Sequence, residues 1–294
     1  MSDKIIRATA ANAQIRAFVA DTRDLVQEAN EKHHSYPVTT AALGRLLTAA
    51  AIMSTMQKND SDKLTIKIDG DGPAGQITVT ADSSSRVKGF VSNPYVDIPL
   101  KPNGKLDVSG AIGNGYITVV KDLGLKEPYV GTTNLVTGEI AEDLTYYFSA
   151  SEQVPSSVGL GVLVDKDLSV RRAGGFIIQL MPFAEDSVID TLEKNLSNIS
   201  SVTAMLEDGM SPEDILGKIL EGFDYEITSE VVPEYYCGCS KERVKNALAL
   251  ISKDEIKSMR EDVLADGKPI EVHCDFCNTD YYFDAEELLE IEKN

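Results

Sequence analysis

"CGCS" at residues 237–240 and "CDFCN" at residues 274–278 contain all four cysteines of this 294-residue chain. Four thiolates satisfy the tetrahedral coordination of zinc, with Zn–S bonds of about 2.3 Å. C-x-x-C between two strand-like segments is typical of a zinc knuckle. Gly238 and Asn278 tolerate the unusual backbone angles that such tight loops require. We therefore predict one Zn²⁺ per chain, with the ligands Cys237, Cys239, Cys274 and Cys277.

The spacing of these cysteines leaves the role of the zinc site open. A closed site can serve only to stabilise a small domain, because domains of this size often need a metal to fold. Alternatively, oxidants attack the thiolates, each close pair forms a disulfide, and the metal is lost. His273 adjoins Cys274 and is a further ligand candidate. Since four thiolates already complete the coordination, we expect His273 to lie outside it.

The composition argues against several classes of protein. The chain has 28 basic and 47 acidic residues and a net charge of -19, so it lacks the basic surface that binds nucleic acid. The sequence contains no run of about 18 apolar residues, so we predict no membrane span. The N-terminal segment lacks the apolar stretch of a secretory signal. We expect a cytoplasmic protein. In the cytoplasm, thiols stay reduced and bind metal more often than they form structural disulfides.

Sequence patterns predict an α+β protein whose large N-terminal core domain spans 1–178. Segments 24–33 and 39–56 read as helices, and the second carries apolar residues on more than one face, which places it inside the core. Residues 63–82 alternate apolar and polar side chains around a Gly-Pro turn, which predicts a hairpin. Further strand character is seen in "YITVVKDL" (116–123), "LTYYFSAS" (144–151) and "VGLGVLVD" (158–165).

A helical linker arm is predicted at 179–230 and a small zinc-binding domain at 231–294. Within the arm, 183–222 reads as two or three helices with no strands. Ser211 is a natural N-cap and Pro212 suits the first helical position. The zinc-binding domain is predicted to contain helices near 241–251 and 253–265, a strand–knuckle–strand unit and a short acidic C-terminal helix. One apolar stripe on the arm consists of Ile189, Leu192, Leu196, Ile199, Val202 and Leu206.

The remaining motifs do not indicate an active site. "GDGPAG" (70–75) and "GAIGNG" (110–115) are rich in glycine, but neither opens a helix after a strand, as a phosphate-binding loop does. We interpret both as turns. His33 and His34 end a predicted helix and are expected at the surface. G-x-S-x-G and H-E-x-x-H motifs are absent from the sequence, and we expect a protein that is not an enzyme.

Five stretches resemble the heat-shock protein 33 family of redox-regulated molecular chaperones. Residues 235–244 and 271–283 are similar to the zinc module of that family, and residues 72–94, 104–131 and 135–164 resemble its N-terminal domain. The stretches occur in the family's order. The pairing of C-x-C with C-x-x-C is specific, and all four ligand positions are kept.

This resemblance implies a function that the spacing alone does not. In the family, the four cysteines bind zinc in a reduced, inactive state, and peroxide or hypochlorite oxidises each pair. Carried over to this chain, the disulfides are Cys237–Cys239 and Cys274–Cys277. The resemblance further implies that the helical arm then becomes unstable, that unfolding client proteins bind, that the active form is a homodimer, and that no ATP is used.

Two interpretations from other classes remain open on the sequence alone. One is a zinc-ribbon adaptor, although the acidic composition argues against nucleic acid as its partner. The other is a thiol-disulfide oxidoreductase that uses "CDFC" (274–277). That enzyme needs its C-x-x-C at a helix N-terminus, whereas here the motif lies between apparent strands.

Overall fold

A computed structural model describes residues 2–293, which divide into two units at the Tyr236–Cys237 bond. The second unit contains α8 (Lys241–Leu248), α9 (Lys253–Asp266), β12 (Ile270–Cys274), β13 (Thr279–Phe283) and α10 (Ala285–Lys293). The first unit contains β1 (Lys4–Ala10), β2 (Ile15–Asp21), α1 (Arg23–His33), α2 (Pro37–Ser54), β3 (Lys63–Gly70), β4 (Gln76–Asp82), β5 (Arg86–Val91), α3 (Val108–Ile112), β6 (Gly115–Asp122), β7 (Tyr129–Asn134), α4 (Ala141–Ala150), β8 (Ser156–Val164), β9 (Val170–Leu180), α5 (Asp186–Ser197), α6 (Val202–Glu207), α7 (Pro212–Ile219), β10 (Tyr225–Val231) and β11 (Glu234–Tyr235).

Two sheets and a central helix form the core of the first unit. The five-stranded sheet has the order β10-β1-β2-β9-β8, and the six-stranded sheet has the order β11-β5-β4-β3-β6-β7. Helix α2 contacts strands of both sheets, and sixteen of its 18 residues are buried. Its length and hydropathy would allow a membrane span, but 89% of it is buried inside the protein. The prediction of a core helix at this place is therefore confirmed.

The arm packs on the opposite face of the five-stranded sheet. Helices α5, α6 and α7 fall within 183–222, as predicted, and bury apolar side chains against β1, β2 and β9. Of the predicted stripe, Leu192, Val202 and Leu206 are buried, and Leu196 and Ile199 are half-buried against the same cluster. Ile189 is only half-buried, and its neighbour Val188 takes the buried position. The five-stranded sheet is consequently covered by apolar side chains on both faces.

The structure corrects two predictions of local structure. "LTYYFSAS" lies in helix α4 rather than in a strand, because Leu144, Tyr147 and Phe148 recur at helical spacing and are buried together. The predicted helical arm of 179–230 also ends in a strand, since Tyr225–Val231 is β10 and pairs with β1. Tyr225 and Ile227 alternate with polar residues there, which favours an edge strand.

His33 was expected at the surface and is instead buried. Its side chain is 6% exposed, and its Nε2 lies 3.1 Å from the hydroxyl of Tyr235 on β11. Tyr235 is 4% exposed and donates its hydroxyl to the carbonyl of Gly89. The second histidine, His34, is exposed, as expected, and closes α1 in a left-handed conformation. The burial of His33 depends on a partner 202 residues away, which the local sequence does not reveal.

Both glycine-rich segments form turns, as expected. "GDGPAG" connects β3 to β4, and "GAIGNG" ends α3 and leads into β6. The two segments lie against one another, with the Gly72 amide donating to the Ile112 carbonyl at 2.8 Å. A Cβ on Gly72 would meet the Ala111 carbonyl at 2.5 Å, so this close approach requires glycine.

Candidate metal centre

Helix α8 positions the C-x-C half of the site. Ser240 is the N-cap of this helix, and its hydroxyl accepts from the Arg243 amide at 3.2 Å. The Arg243 guanidinium reaches back and donates to the Gly238 carbonyl at 2.5 Å. Cys237 and Cys239 are thus fixed on the loop just before the helix, where the helix dipole favours negative charge on sulfur.

The hairpin of β12 and β13 positions the C-x-x-C half. The Cys274 carbonyl accepts from the Cys277 amide at 3.3 Å and from the Asn278 amide at 2.8 Å. Asn278 has φ of 54°, the left-handed conformation that closes the knuckle. The strands are in antiparallel register from Ile270↔Phe283 to Cys274↔Thr279. The predicted strand–knuckle–strand unit is therefore confirmed.

The two halves bring all four sulfurs together. The four Sγ atoms lie within 4.8 Å of one another, with 3.9 Å between Cys237 and Cys274 and 3.0 Å between Cys239 and Cys277. Tetrahedral zinc with Zn–S bonds of 2.3 Å separates its sulfurs by roughly 3.8 Å. The four thiols therefore fit one zinc ion, and all four residues are half-buried.

Tyr281 is a neighbour of the site that sequence reasoning did not single out. Its hydroxyl lies 3.0 Å from the Cys239 Sγ and can donate to the thiolate. Burial raises the pKa of Cys239, but hydrogen bonds from Cys277 and Tyr281 outweigh it and lower that pKa to about 7. The hydrogen bond to Cys239, together with burial, raises the pKa of Tyr281. The pair therefore favours a thiolate on Cys239 and a proton on Tyr281.

The pKa of Cys277, whose Sγ lies 3.0 Å from the Cys239 Sγ, shifts in the opposite direction. Burial, followed by the hydrogen bond to Cys239, raises the pKa of Cys277 to about 12. Without metal, the Cys239 thiol therefore ionises before the Cys277 thiol. A divalent cation removes the need for a proton on Cys277, because it stabilises all four thiolates at once.

His273 lies outside the four-sulfur cluster. Its Nδ1 is 2.6 Å from Asp280 Oδ1, and its Nε2 is 3.9 Å from Asp275 Oδ1. The side chain is 41% exposed, which matches the expectation of a histidine that does not coordinate the metal. Its register partner on β13 is Asp280, and this pairing across the hairpin orients the ring.

Comparisons with known proteins give one consistent result along the chain. Residues 3–284 match the family model described as "Hsp33 protein". The chain is 56% identical over 291 residues to the 33 kDa chaperonin of Agathobacter rectalis, covering 99% of this chain and 100% of that protein. It is 53% identical over 294 residues to the 33 kDa chaperonin of Clostridioides difficile, covering 100% and 99%.

A solved structure shows the same fold. The crystal structure of the 33 kDa chaperonin of Thermotoga maritima, a heat shock protein 33 homologue, matches with a TM-score of 0.91 and 38% sequence identity. The match covers 100% of this chain and 98% of that one. The similarity therefore includes the two sheets of the first unit as well as the four-cysteine unit.

Proposed function

The chain belongs to the Hsp33 family, and from this premise we propose that it is a redox-regulated, ATP-independent holdase chaperone. In the reduced state the four cysteines hold one Zn²⁺, and the protein is inactive. Oxidation forms disulfides, releases the metal and uncovers a surface that binds unfolding proteins under oxidative stress. The observation that carries the proposal is the cluster of four half-buried sulfurs drawn from two close pairs.

The proposed switch is a two-electron oxidation of each cysteine pair. One thiolate attacks a peroxide oxygen, the O–O bond breaks, and a sulfenic acid forms with release of hydroxide. The second thiolate of the pair displaces hydroxide from that sulfur and forms the S–S bond. We assign the pairs Cys237–Cys239 and Cys274–Cys277, because one and two intervening residues give the shortest loops. Two equivalents of peroxide are consumed per chain.

Loss of the metal removes the constraint that holds the second unit together. Along the chain, the helices of the arm are followed by β10, β11 and, after Tyr236, by Cys237. We propose that unfolding of the second unit destabilises the arm, whose helices detach from the five-stranded sheet. Detachment exposes apolar side chains of both partners, including Met205 and Leu216 of the arm and Val19 and Ile178 of the sheet. Extended apolar segments of unfolding proteins would bind there.

The partners and location of the active protein also belong to this proposal. We propose a cytoplasmic homodimer as the active form, with unfolding client proteins as its partners and neither nucleic acid nor membrane among them. The net charge of -19 supports this by disfavouring anionic polymers and by keeping a chaperone with exposed apolar surface soluble. The proposed function is not enzymatic.

The deciding experiment measures zinc content and suppression of client aggregation before and after oxidation. We expect one zinc per reduced chain with no suppression, and metal-free protein that suppresses aggregation after peroxide treatment. A variant with Cys274→Ser and Cys277→Ser lacks two of the proposed zinc ligands as well as the knuckle disulfide, so we expect it to be metal-poor and to suppress aggregation without oxidant. Equal suppression by reduced, zinc-bound protein would contradict the proposed redox control.

Peptide mapping of partly oxidised protein tests the disulfide assignment. We expect Cys274–Cys277 to form before Cys237–Cys239, because the ring closed by C-x-C is tighter. A dominant disulfide between the two motifs, such as Cys239–Cys277, would refute the pairing. Continuous turnover of a small disulfide substrate would instead indicate an oxidoreductase.

A further inference from the structure

Two arginines lie on neighbouring strands of the five-stranded sheet, on the face that also carries Ile5 and Phe18. Arg16 of β2 is directly opposite Thr9 of β1, and Arg7 lies two residues from Thr9 on the same strand. Residues of one strand that are two apart point to the same face, so both guanidinium groups share it. All three side chains are half-buried and therefore remain accessible to solvent.

Buried neighbours fix the position of each arginine. Arg16 Nε donates to the Gln179 side-chain oxygen at 2.7 Å, and the Gln179 amide donates to the Ser156 hydroxyl at 3.0 Å. Gln179 is 0% exposed, which is rare for a glutamine and indicates a dedicated polar support. The Arg7 guanidinium lies over the Phe18 ring at 5.7 Å. Both cations are thus oriented in advance.

The two arginines lack the acidic partner that the other arginines of the first unit possess. Arg7 Nε is buried without an acceptor among residues 2–293, and no ion pair of either arginine occurs within that part of the chain. In contrast, carboxylates pair with Arg23, Arg45, Arg86, Arg171 and Arg172.

Glu152 is the acidic group whose charge acts on Arg16, but its carboxylate already accepts hydrogen bonds from other side chains. Its carboxylate accepts from Lys121 Nζ and, at 2.8 Å, from the Tyr147 hydroxyl. Lys121 therefore balances Glu152, and two positive charges stay uncompensated. Burial and the neighbouring Arg7 lower the pKa of Arg16, which shows that the site penalises its own charge.

Placing two like charges together in a partly desolvated site costs free energy unless an anion compensates them. The chain has a net charge of -19 and therefore many acidic residues, yet within residues 2–293 no carboxylate forms an ion pair with either arginine. We propose that Arg7 and Arg16, together with the neighbouring Thr9, bind a small phosphate-type oxyanion. Guanidinium groups match this ligand because their paired N–H donors fit two oxygens of one anion.

Thermal unfolding with inorganic phosphate as the probe tests the site, at constant ionic strength set with sodium chloride. We expect the Tm of the reduced, zinc-bound full-length protein to rise saturably with phosphate, since a ligand that binds only the folded state stabilises it. Arg7→Gln and Arg16→Gln should each raise the half-saturating concentration at least about tenfold, as expected for loss of one charged hydrogen bond. In chloride alone, both variants should unfold at or above the wild-type Tm.

Arg23→Gln is the matched control, because Arg23 is a partly exposed arginine of the same unit whose carboxylate partner is Asp24. It should keep the phosphate response of the wild type. Broadening of the phosphate ³¹P resonance by wild-type protein is a second measurement that does not depend on the variants folding. A linear response without saturation is the general salting effect of phosphate and overturns the proposal. So does a saturable response that persists in both variants or disappears in Arg23→Gln.

Discussion

At the scale of single residues, the sulfur site is tuned by side chains outside the two cysteine motifs. Tyr281 lies on β13 beyond the knuckle and donates to Cys239, while Arg243 of α8 holds the intervening Gly238 carbonyl. Such neighbours orient ligands and adjust their basicity, and their loss typically weakens metal binding. The motif itself gives the candidate ligands, and these neighbours determine which sulfur carries the charge.

Removing the Tyr281 hydroxyl should weaken zinc binding. We expect Tyr281→Phe to lower zinc affinity roughly 10- to 100-fold, because the Cys239 thiolate loses its hydrogen-bond donor. Competition with a chromophoric chelator under reducing conditions measures this. Tyr282→Phe removes a hydroxyl from the adjacent, 48% exposed residue and should leave the affinity unchanged. Equal affinities of the two variants would show that the hydroxyl does not support the site.

A second residue-scale prediction concerns Glu139, which accepts from Arg45 at 2.7 Å and from Lys101. Burial raises its pKa, but the two cations outweigh burial and hold the pKa at about 2. Because the folded-state pKa is below the unfolded value of 4.5, the stability from Glu139 is complete above that value and is lost as the pH falls toward 2. Glu139→Gln should therefore cost about 2 kcal/mol at neutral pH, after allowance for solvent screening.

Urea unfolding between neutral pH and pH 2 measures this difference for the wild type and the variant. The gap between them should close as the pH falls. Glu142→Gln, an exposed position of α4, should track the wild type throughout. A gap that stays constant with pH would show that the loss reflects packing rather than the charge of Glu139.

At the scale of elements, helices with regular apolar spacing could be predicted from the sequence, whereas contacts between distant segments could not. The arm helices follow from the three- and four-residue spacing of apolar residues and from the Ser211–Pro212 start, and α7 begins there with Asp214 completing a capping box. Helix α4 was mistaken for a strand because aromatic and β-branched residues are dense in it. Its start depends on Asp143, whose carboxylate accepts the amides of Val136, Thr137, Gly138 and Ile140, a loop contact that hydrophobic periodicity does not reveal.

The same distinction applies to the two candidate sites. Cysteine spacing predicted that the sulfurs within each pair lie together, because short loops impose this whatever the rest of the chain does, and the structure brings the two pairs into one cluster. The arginine pair was not predicted, since it arises from the register of β1 against β2 and from Gln179, 163 residues after Arg16. Contacts between distant strands depend on the tertiary fold, and local sequence patterns carry no information about them.

Charging the arm's apolar face should activate the chaperone without oxidant. Leu196 on α5 is half-buried against the cluster on the five-stranded sheet, and Leu192 is 4% exposed there. Leu196→Glu should destabilise the docked arm by about 2 kcal/mol or more, and Leu192→Glu by a larger amount. Aggregation assays with a thermally unfolding client should show suppression while all four thiols stay zinc-bound.

Ser197→Glu adds the same charge at an exposed position of α5 and should leave the reduced protein inactive. Hydrogen exchange across 183–222, followed alongside, should show lost protection in the leucine variants alone. If the arm of fully oxidised, zinc-free protein stays protected while clients are still held, the arm is not the element that controls binding.

At the scale of the whole molecule, the two units differ in how they are stabilised. The first unit has a large apolar core around α2 and a second apolar cluster under the arm. The second unit spans 58 residues, and a core this small seldom suffices without a metal or disulfide. The buried apolar residues of the second unit are Leu248, Ile256, Val263, Phe283, Leu288 and Ile291.

Removing the metal under reducing conditions should therefore unfold the second unit selectively. Structural zinc contributes on the order of 10 kcal/mol to the folding of small domains, more than so small a core can replace. We expect a chelator with reductant present to abolish hydrogen-exchange protection in Cys237–Asn294, while α2 and the central strands β2, β3 and β9 stay protected.

Re-addition of zinc should restore the protection, and magnesium should not, because thiolates are soft ligands and magnesium prefers oxygen. Since no disulfide forms in this experiment, it separates loss of metal from oxidation. Holdase activity of the metal-free, reduced protein then shows whether unfolding of the second unit is sufficient to release the arm. Full protection of Cys237–Asn294 without metal would mean that its apolar core is sufficient. The sulfur cluster could then not act through folding, and the proposed switch would be wrong.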